Sequence, residues 1–251
     1  MPKLMTDSTM ETGKIGGLHA FQFSGKRIEQ LGSSEYTLVT IAVDVTGSTS
    51  GFADDLRRAL VTAVEACKKS PRANNLLLRV ILFSSFLDKG IEEIHGFKPL
   101  GEIDPSSYPK LNPNGGTNLF DASFSAIGAT NAYAEKLSDQ DFQVNGIVFV
   151  ITDGDDNESS ATSKMVKKEM DRGKKGEKIE SLIGILVGIN VQSFQNRLDE
   201  FRTETGMKYI PVDDVTKGKF AKLAGFVSQS VSSQSQSLGT GGPSQNIAAT
   251  I

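Results

Sequence analysis

The chain has 251 residues, 38% of them hydrophobic, and a formal net charge of −3. That length and apolar content suffice for one large α/β domain, and the slightly acidic balance excludes a general basic surface for nucleic acid. Cys67 is the only cysteine, which excludes an intrachain disulfide and a multi-cysteine zinc site and fits a reducing compartment. The first residues hold no basic segment followed by a long apolar run, and no stretch reads as a membrane span. A cytoplasmic location is therefore the expectation.

Residues 1–35 read as an N-terminal extension. Within it His19-Ala20-Phe21-Gln22-Phe23 alternates in the manner of a short edge strand, with His19 a surface or edge residue. The main domain is expected over 36–232. Its first core strand, 36–43, is nearly unbroken in apolar and β-branched residues and ends in Asp44, Thr46 and Ser48. Phe52, Leu56, Ala59, Leu60, Ala63 and Cys67 then recur at helical spacing, so Cys67 reads as core filler. A strand over 76–83 follows, and 91–97 reads as an edge strand because it carries Glu92, Glu93 and His95.

Prolines 99, 105, 109 and 113 punctuate the path to Asn114-Gly115-Gly116-Thr117, which opens a helix with Phe120, Phe124, Ile127, Ala134 and Leu137 on its buried side. A core strand over 147–151 runs into Thr152-Asp153-Gly154-Asp155-Asp156. A charged helix is expected near 160–172, a strand within 179–189, a helix around Phe194, Leu198 and Phe201, a short strand 209–212, and a closing helix carrying Phe220, Leu223, Ala224 and Val227. Alternating strands and helices predict a doubly wound, mostly parallel sheet with helices on both faces. Ser, Gln and Gly dominate the end, and 233–251 is expected to be a flexible tail.

In such a sheet, ligands bind beyond the carboxyl ends of the strands, where strand order reverses. If Asp44, Thr46, Ser48, Thr117 and Asp153 converge there, they offer only oxygen donors. That set suits a hard divalent cation, magnesium or manganese, and not zinc, and a cation would remove the repulsion between the two carboxylates. Hydroxyls beside a helix are also common caps, so the first loop alone decides little. Several enzyme spellings fail. Thr46 stands where a haloacid-dehalogenase-type phosphatase needs a second aspartate, Val45 interrupts the Asp-Thr-Gly of an aspartic protease, Gly47-Ser48-Thr49-Ser50-Gly51 is no nucleophile elbow, and no Gly-Lys-Ser/Thr follows a glycine-rich turn.

Asp44-Val45-Thr46-Gly47-Ser48, with Gly115-Gly116-Thr117-Asn118-Leu119-Phe120-Asp121 and Ile151-Thr152-Asp153-Gly154, resembles the von Willebrand factor type A family and its metal-ion-dependent adhesion site. A narrower likeness, helped by the closing-helix spelling at 226–232, points to bacterial and phage members such as TerY-like tellurium-resistance proteins. The resemblance implies a six-stranded, mostly parallel sheet and a magnesium ion held by Asp44, Thr46, Ser48, Thr117 and Asp153. It further implies a protein partner that adds a Glu or Asp to the metal, and no catalysis. Thr46 departs from the family's serine but keeps the hydroxyl. Asp121 reads as a supporting group or helix-end partner, and Asp155 and Asp156, with Glu158, as a negative rim. A structural domain of the same fold whose site is unoccupied or purely stabilising, and a metal-dependent phosphohydrolase, are the alternatives.

Overall fold

The computed structural model describes residues 8–16, 21–176 and 178–240. Eight strands form one mixed sheet: β1 Met10–Ile15, β2 Phe21–Lys26, β3 Glu35–Asp44, β4 Leu76–Phe83, β5 Ile91–Pro99, β6 Gln143–Thr152, β7 Ser181–Ile189 and β8 Lys208–Val212. The helices are α1 Ala53–Lys68, α2 Leu119–Ser138, α3 Ser163–Lys175, α4 Gln195–Thr205 and α5 Lys217–Gly239.

The strand order is β1-β2-β5-β4-β3-β6-β7-β8. From β4 through β8 the neighbouring pairs β4–β3, β3–β6, β6–β7 and β7–β8 are parallel, while β5 runs antiparallel to β4. The chain therefore winds outward one way from β3 through β4 and the other way from β6, so strand order reverses between β3 and β6. That reversal puts the carboxyl ends of two central strands beside an open crevice.

Burial explains why the central strands spell as unbroken apolar runs. β4 is buried along its whole length, and β3 at every position after Glu35. On one face Val39, Ile41 and Val43 pack with α1 and α5, and on the other Leu38 and Ala42 pack with α2. The helical spacing in α1 buries Leu56, Ala59, Leu60, Ala63, Val64 and Cys67, with Asp54 and Asp55 in the first turn, where the helix dipole favours them. Cys67 is core filler as expected, and burial alone pushes its thiol up to about 12.

Three expectations need correction. The sheet has eight strands, not six, because β1 and β2 form an antiparallel hairpin that continues it past β5. β5 is accordingly an interior strand. The hairpin joins β5 through a single register pair, Gly25 with Phe97, and side chains do much of the fastening. Glu93 accepts hydrogen bonds from the Ser24 N–H and hydroxyl at 3.0 and 2.6 Å, Arg79 meets Glu93 at 2.6 Å, and Lys26 meets Glu102 at 2.7 Å. Glu93, one of the residues of β5 that suggested an edge, is therefore consumed in this contact. His19 lies outside the described residues.

The third correction concerns the tail. Helix α5 continues through Gly239, with Ser230, Gln234, Ser235, Ser237 and Leu238 buried. The Asn145 side chain donates to the Gln234 carbonyl at 2.8 Å, Gln234 Nε2 donates to Ser181 Oγ at 2.5 Å, and Arg72 Nε donates to Ser235 Oγ at 3.1 Å. Small polar side chains pack closely once their hydrogen bonds are met by the sheet, so composition misreads them as solvent-facing. The part of the expected tail at 241–251 lies outside the described residues.

Candidate metal centre

Asp44 ends β3, and backbone hydrogen bonds hold the first loop in place. Val45 N–H donates to Phe83 O at 3.0 Å, Asn114 N–H to Val45 O at 2.9 Å, and Gly47 N–H to Gly115 O at 3.1 Å. Gly115 sits at φ +76°, and a side chain there would lie 2.8 Å from Phe86 N, so the turn delivering Thr117 requires glycine. The second and third loops are joined in the same way. Thr117 N–H donates to Asn157 Oδ1 at 2.8 Å, while the Asn157 and Glu158 amides donate to Thr117 O at 2.9 and 3.1 Å.

The structure brings four of the five expected ligand residues into one hydrogen-bonded chain. Asp44 Oδ1 accepts from Thr46 N–H at 2.8 Å, the Thr46 and Ser48 hydroxyls are 3.0 Å apart, and Ser48 donates to Asp153 Oδ1 at 2.7 Å. Thr117 stands alongside: a side chain built on Gly154 would come within 3.5 Å of Thr117 Oγ1. Asp44, Thr46 and Thr117 are buried, whereas Ser48 is exposed and Asp153 half-buried. The group therefore opens outward at Ser48 and Asp153.

Helix capping is not the task of these hydroxyls. The short 3-10 turn Gly47–Gly51 has Thr46 at its N-cap without a side-chain cap bond, and α1 begins after Phe52, likewise without one. Thr152, which sequence reasoning missed, donates its hydroxyl to Asp44 Oδ2 at 2.7 Å. Its signal was a polar residue closing an apolar strand. Asn157 was missed too, since it clasps Thr117 only through tertiary contact.

The expected supporting residues have definite tasks. Asp121 accepts the Ser160 and Ala161 amides at 3.1 and 2.8 Å, tying the third loop to α2. Asp156 accepts Phe120 N–H at 3.0 Å and the Ser159 hydroxyl, and so caps the start of α2. Asp155 meets Arg197 at 2.5 Å. Asp155 and Asp156 of the negative rim expected from spelling are thus spent on internal partners, because each lies within reach of an amide, a hydroxyl or a cation, while Glu158 stays exposed.

Burial pushes the Asp44 carboxyl up to about 6 against the downward pull of its Thr46 and Thr152 hydrogen bonds, with Asp153 adding a smaller upward push. Burial likewise raises Asp153, opposed by the Ser48 hydrogen bond. None of the hydrogen-bond partners of either carboxylate is cationic, so two desolvated acids share a pocket without a counter-charge. An all-oxygen donor set with that deficit fits a hard divalent cation. Among the described residues no three of His, Cys, Asp and Glu are grouped as a metal site. Hydroxyls would have to carry much of any ligand set here.

The fold is broadly von Willebrand factor A-like and Rossmann-like, a mixed α/β sheet covered by helices on both faces. No family model matches the sequence, and no curated protein matches it. Solved structures do. A pilus adhesin, SpaC from Lactobacillus rhamnosus GG, superposes with a TM-score of 0.61 at 11% identity over 84% of this chain and 32% of that one. The PilB minor pilin from Streptococcus sanguinis gives 0.55 at 16% identity, over 87% and 66% of the two chains. Proximal thread matrix protein 1 from the mussel byssus, with a zinc-occupied MIDAS motif, gives 0.54 at 16%, over 79% and 48%. At such identities the likeness is one of fold, and this chain spans about a third of the adhesin, two-thirds of the pilin and half of the byssus protein.

The cytoplasmic expectation is corrected by these neighbours, which are proteins of pili and byssus. A lone cysteine buried in the core is silent about compartment. Among the described residues no helix is long and apolar enough to cross a membrane.

Proposed function

We propose that this chain is a divalent-cation-dependent protein-binding module, in which Asp44, Thr46, Ser48, Thr117 and Asp153 hold Mg2+, or Mn2+ in its place, and a partner protein supplies a Glu or Asp. The observation that carries this reading is the hydrogen-bonded chain from buried Asp44 through Thr46 and Ser48 to Asp153. It supports a single oxygen-lined site at the point where strand order reverses. The bound cation would supply positive charge to attract a carboxylate. Asp44 forms the floor, held by Thr46 N–H and Thr152, and Ser48 and Asp153 face the solvent side from which a partner approaches. Thr117 is positioned by Asn157.

Nothing in this chemistry depends on the narrower TerY-like likeness. Hydrolysis has no comparable support: of the two histidines, His95 is engaged with Tyr108 and Gly96 in β5 at 2.8 and 2.9 Å, and the other lies outside the described residues. A structural domain whose site is unoccupied or holds a purely stabilising cation is the second reading, favoured because both Asp44 oxygens already accept hydrogen bonds. Titration calorimetry with Mg2+, Mn2+ and Zn2+ on the native chain and on Asp153→Asn tests the site. Zinc is included because site affinity generally ranks it above manganese, leaving availability to decide the occupant. Pull-down with and without chelator separates the readings. Binding that survives chelation while the melting temperature falls would refute the module and support the stabilising role.

A further inference from the structure

The large hydrophobic side chains left exposed among the described residues are Phe86 at 69%, Phe194 at 41% and Val215 at 37%. All three follow the carboxyl ends of parallel strands, β4, β7 and β8, and so occupy the edge of the sheet that carries Asp44 and Asp153. At ~4.8 Å per strand, β4 and β7, which Phe86 and Phe194 follow, lie ~14 Å apart on opposite sides of β3 and β6. Phe86 is the most exposed of the three, and its loop is held fast. Ser85 N–H donates to Gly116 O at 3.0 Å, Gly116 N–H donates to Ser85 Oγ at 2.9 Å, and Leu87 N–H donates to Ser84 O at 3.0 Å. A solvated aromatic ring fixed to the turn that delivers Thr117 is a pre-organised contact, the kind of residue that dominates interfaces.

Open clefts of about 640 and 480 Å³ lie beside this loop. The first is lined by Ser50, Phe52, Arg58, Phe86, Lys110 and Asn114, and the second by Phe21, Ser85, Lys89, Asn118, Asp121 and Glu158. Charge tells the two sides of the site apart. On the Phe86 side Lys89 and Lys110 have no ion-pair partner among the described residues, Arg58 pairs with Asp55, and Asp54, Asp88 and Glu158 bring the flank close to neutrality. On the other side, after β8, Asp213 and Asp214 are exposed acids.

We infer that the partner is a protein segment carrying one carboxylate beside an apolar side chain, with the carboxylate at the metal centre and the apolar group against Phe86. This rests on the cation-dependent reading above. An acid-rich segment is repelled by Glu158, Asp213 and Asp214, and a basic one is repelled by the cation, whereas one acid in an apolar context meets attraction at the centre and a neutral apolar flank beside it.

The full chain, immobilised in Mg2+, is used to select from a displayed library of random twelve-residue peptides, with elution by chelator. Mg2+ calorimetry and thermal melts are run on the native chain, Phe86→Ala and Phe194→Ala. The expected pool carries a single Asp or Glu within two positions of a large apolar residue. It loses tenfold or more in affinity for Phe86→Ala and less than threefold for Phe194→Ala, while Mg2+ affinity and melting temperature are unchanged in both. A pool that ignores Phe86, is acid-rich or basic, or never emerges from a chain that binds Mg2+ overturns this inference and leaves the cation site standing. Absence of Mg2+ binding by the native chain overturns both.

Discussion

Replacing Asp44 with Asn separates the charge of this carboxylate from its shape. Burial raises its pKa from an ordinary 3.8 to about 6, which at ~1.4 kcal/mol per tenfold corresponds to a penalty of ~3 kcal/mol on the ionised form in cation-free protein at pH 7. The amide keeps most of the contacts. Asn Oδ1 still accepts Thr46 N–H, and the new NH2 faces the Thr152 hydroxyl, which turns its own proton toward Gly154 O, 3.2 Å away. After a loss of ~1 kcal/mol for imperfect geometry, Asp44→Asn is expected to stabilise the chelated protein by about 1–2 kcal/mol, a rise of about 2–8 °C for a domain of this size. A carboxyl with a raised folded-state pKa destabilises above that pKa and is neutral in effect below the unfolded value. The advantage of the variant is therefore full at pH 7 and shrinks as pH falls from about 6 toward 3.8. Saturating Mg2+ reverses the order: at a hundred times Kd the native chain gains ~2.7 kcal/mol that the variant lacks. Melting curves in chelator and in Mg2+, at pH 7 and pH 5, test this. A variant that melts lower than the native chain in chelator at pH 7, or that responds to Mg2+ as strongly, would refute the reasoning.

Thr46→Ser retains the hydroxyl and is expected to bind Mg2+ within about threefold of the native chain by calorimetry, whereas Thr46→Val should abolish binding. Asn157→Ala, which frees Thr117 without removing a ligand, is expected to weaken Mg2+ about tenfold; unchanged affinity would show that Thr117 needs no support. Asp156→Asn weakens the cap on α2 and should lower the melting temperature in chelator by about 2–4 °C, while Asp155→Asn, which breaks the surface pair with Arg197, should leave it within about 2 °C. Ending the chain after Ser232 removes buried Leu238 and the contacts of Gln234 and Ser235. Melting should fall by about 6 °C or more, and an unchanged midpoint would return this stretch to the status of a tail.

The parts of this protein legible from sequence were those whose signal is local. Strand β3 is buried on both faces, so its apolar run and the aspartate closing it could be read without knowing a neighbour, and the same holds for β6 and for the amphipathic α1. The convergence of Asp44, Thr46, Ser48 and Asp153 followed from one rule about where parallel strands end. What only the tertiary structure decided depended on partners far away in the chain. β5 reads as an edge until Ser24 and Arg79 claim Glu93, the end of α5 reads as solvent-facing until Asn145, Ser181 and Arg72 reach it, and Asp155 reads as rim until Arg197 meets it. Phe86 has no pattern of its own in the sequence, and it is the Gly115-Gly116 turn packed against it that holds an aromatic ring in solvent beside the candidate metal centre. Periodicity reports whether a residue is buried, but a polar residue carries no sign of which distant atom will satisfy it, and that pairing exists only once the chain has folded.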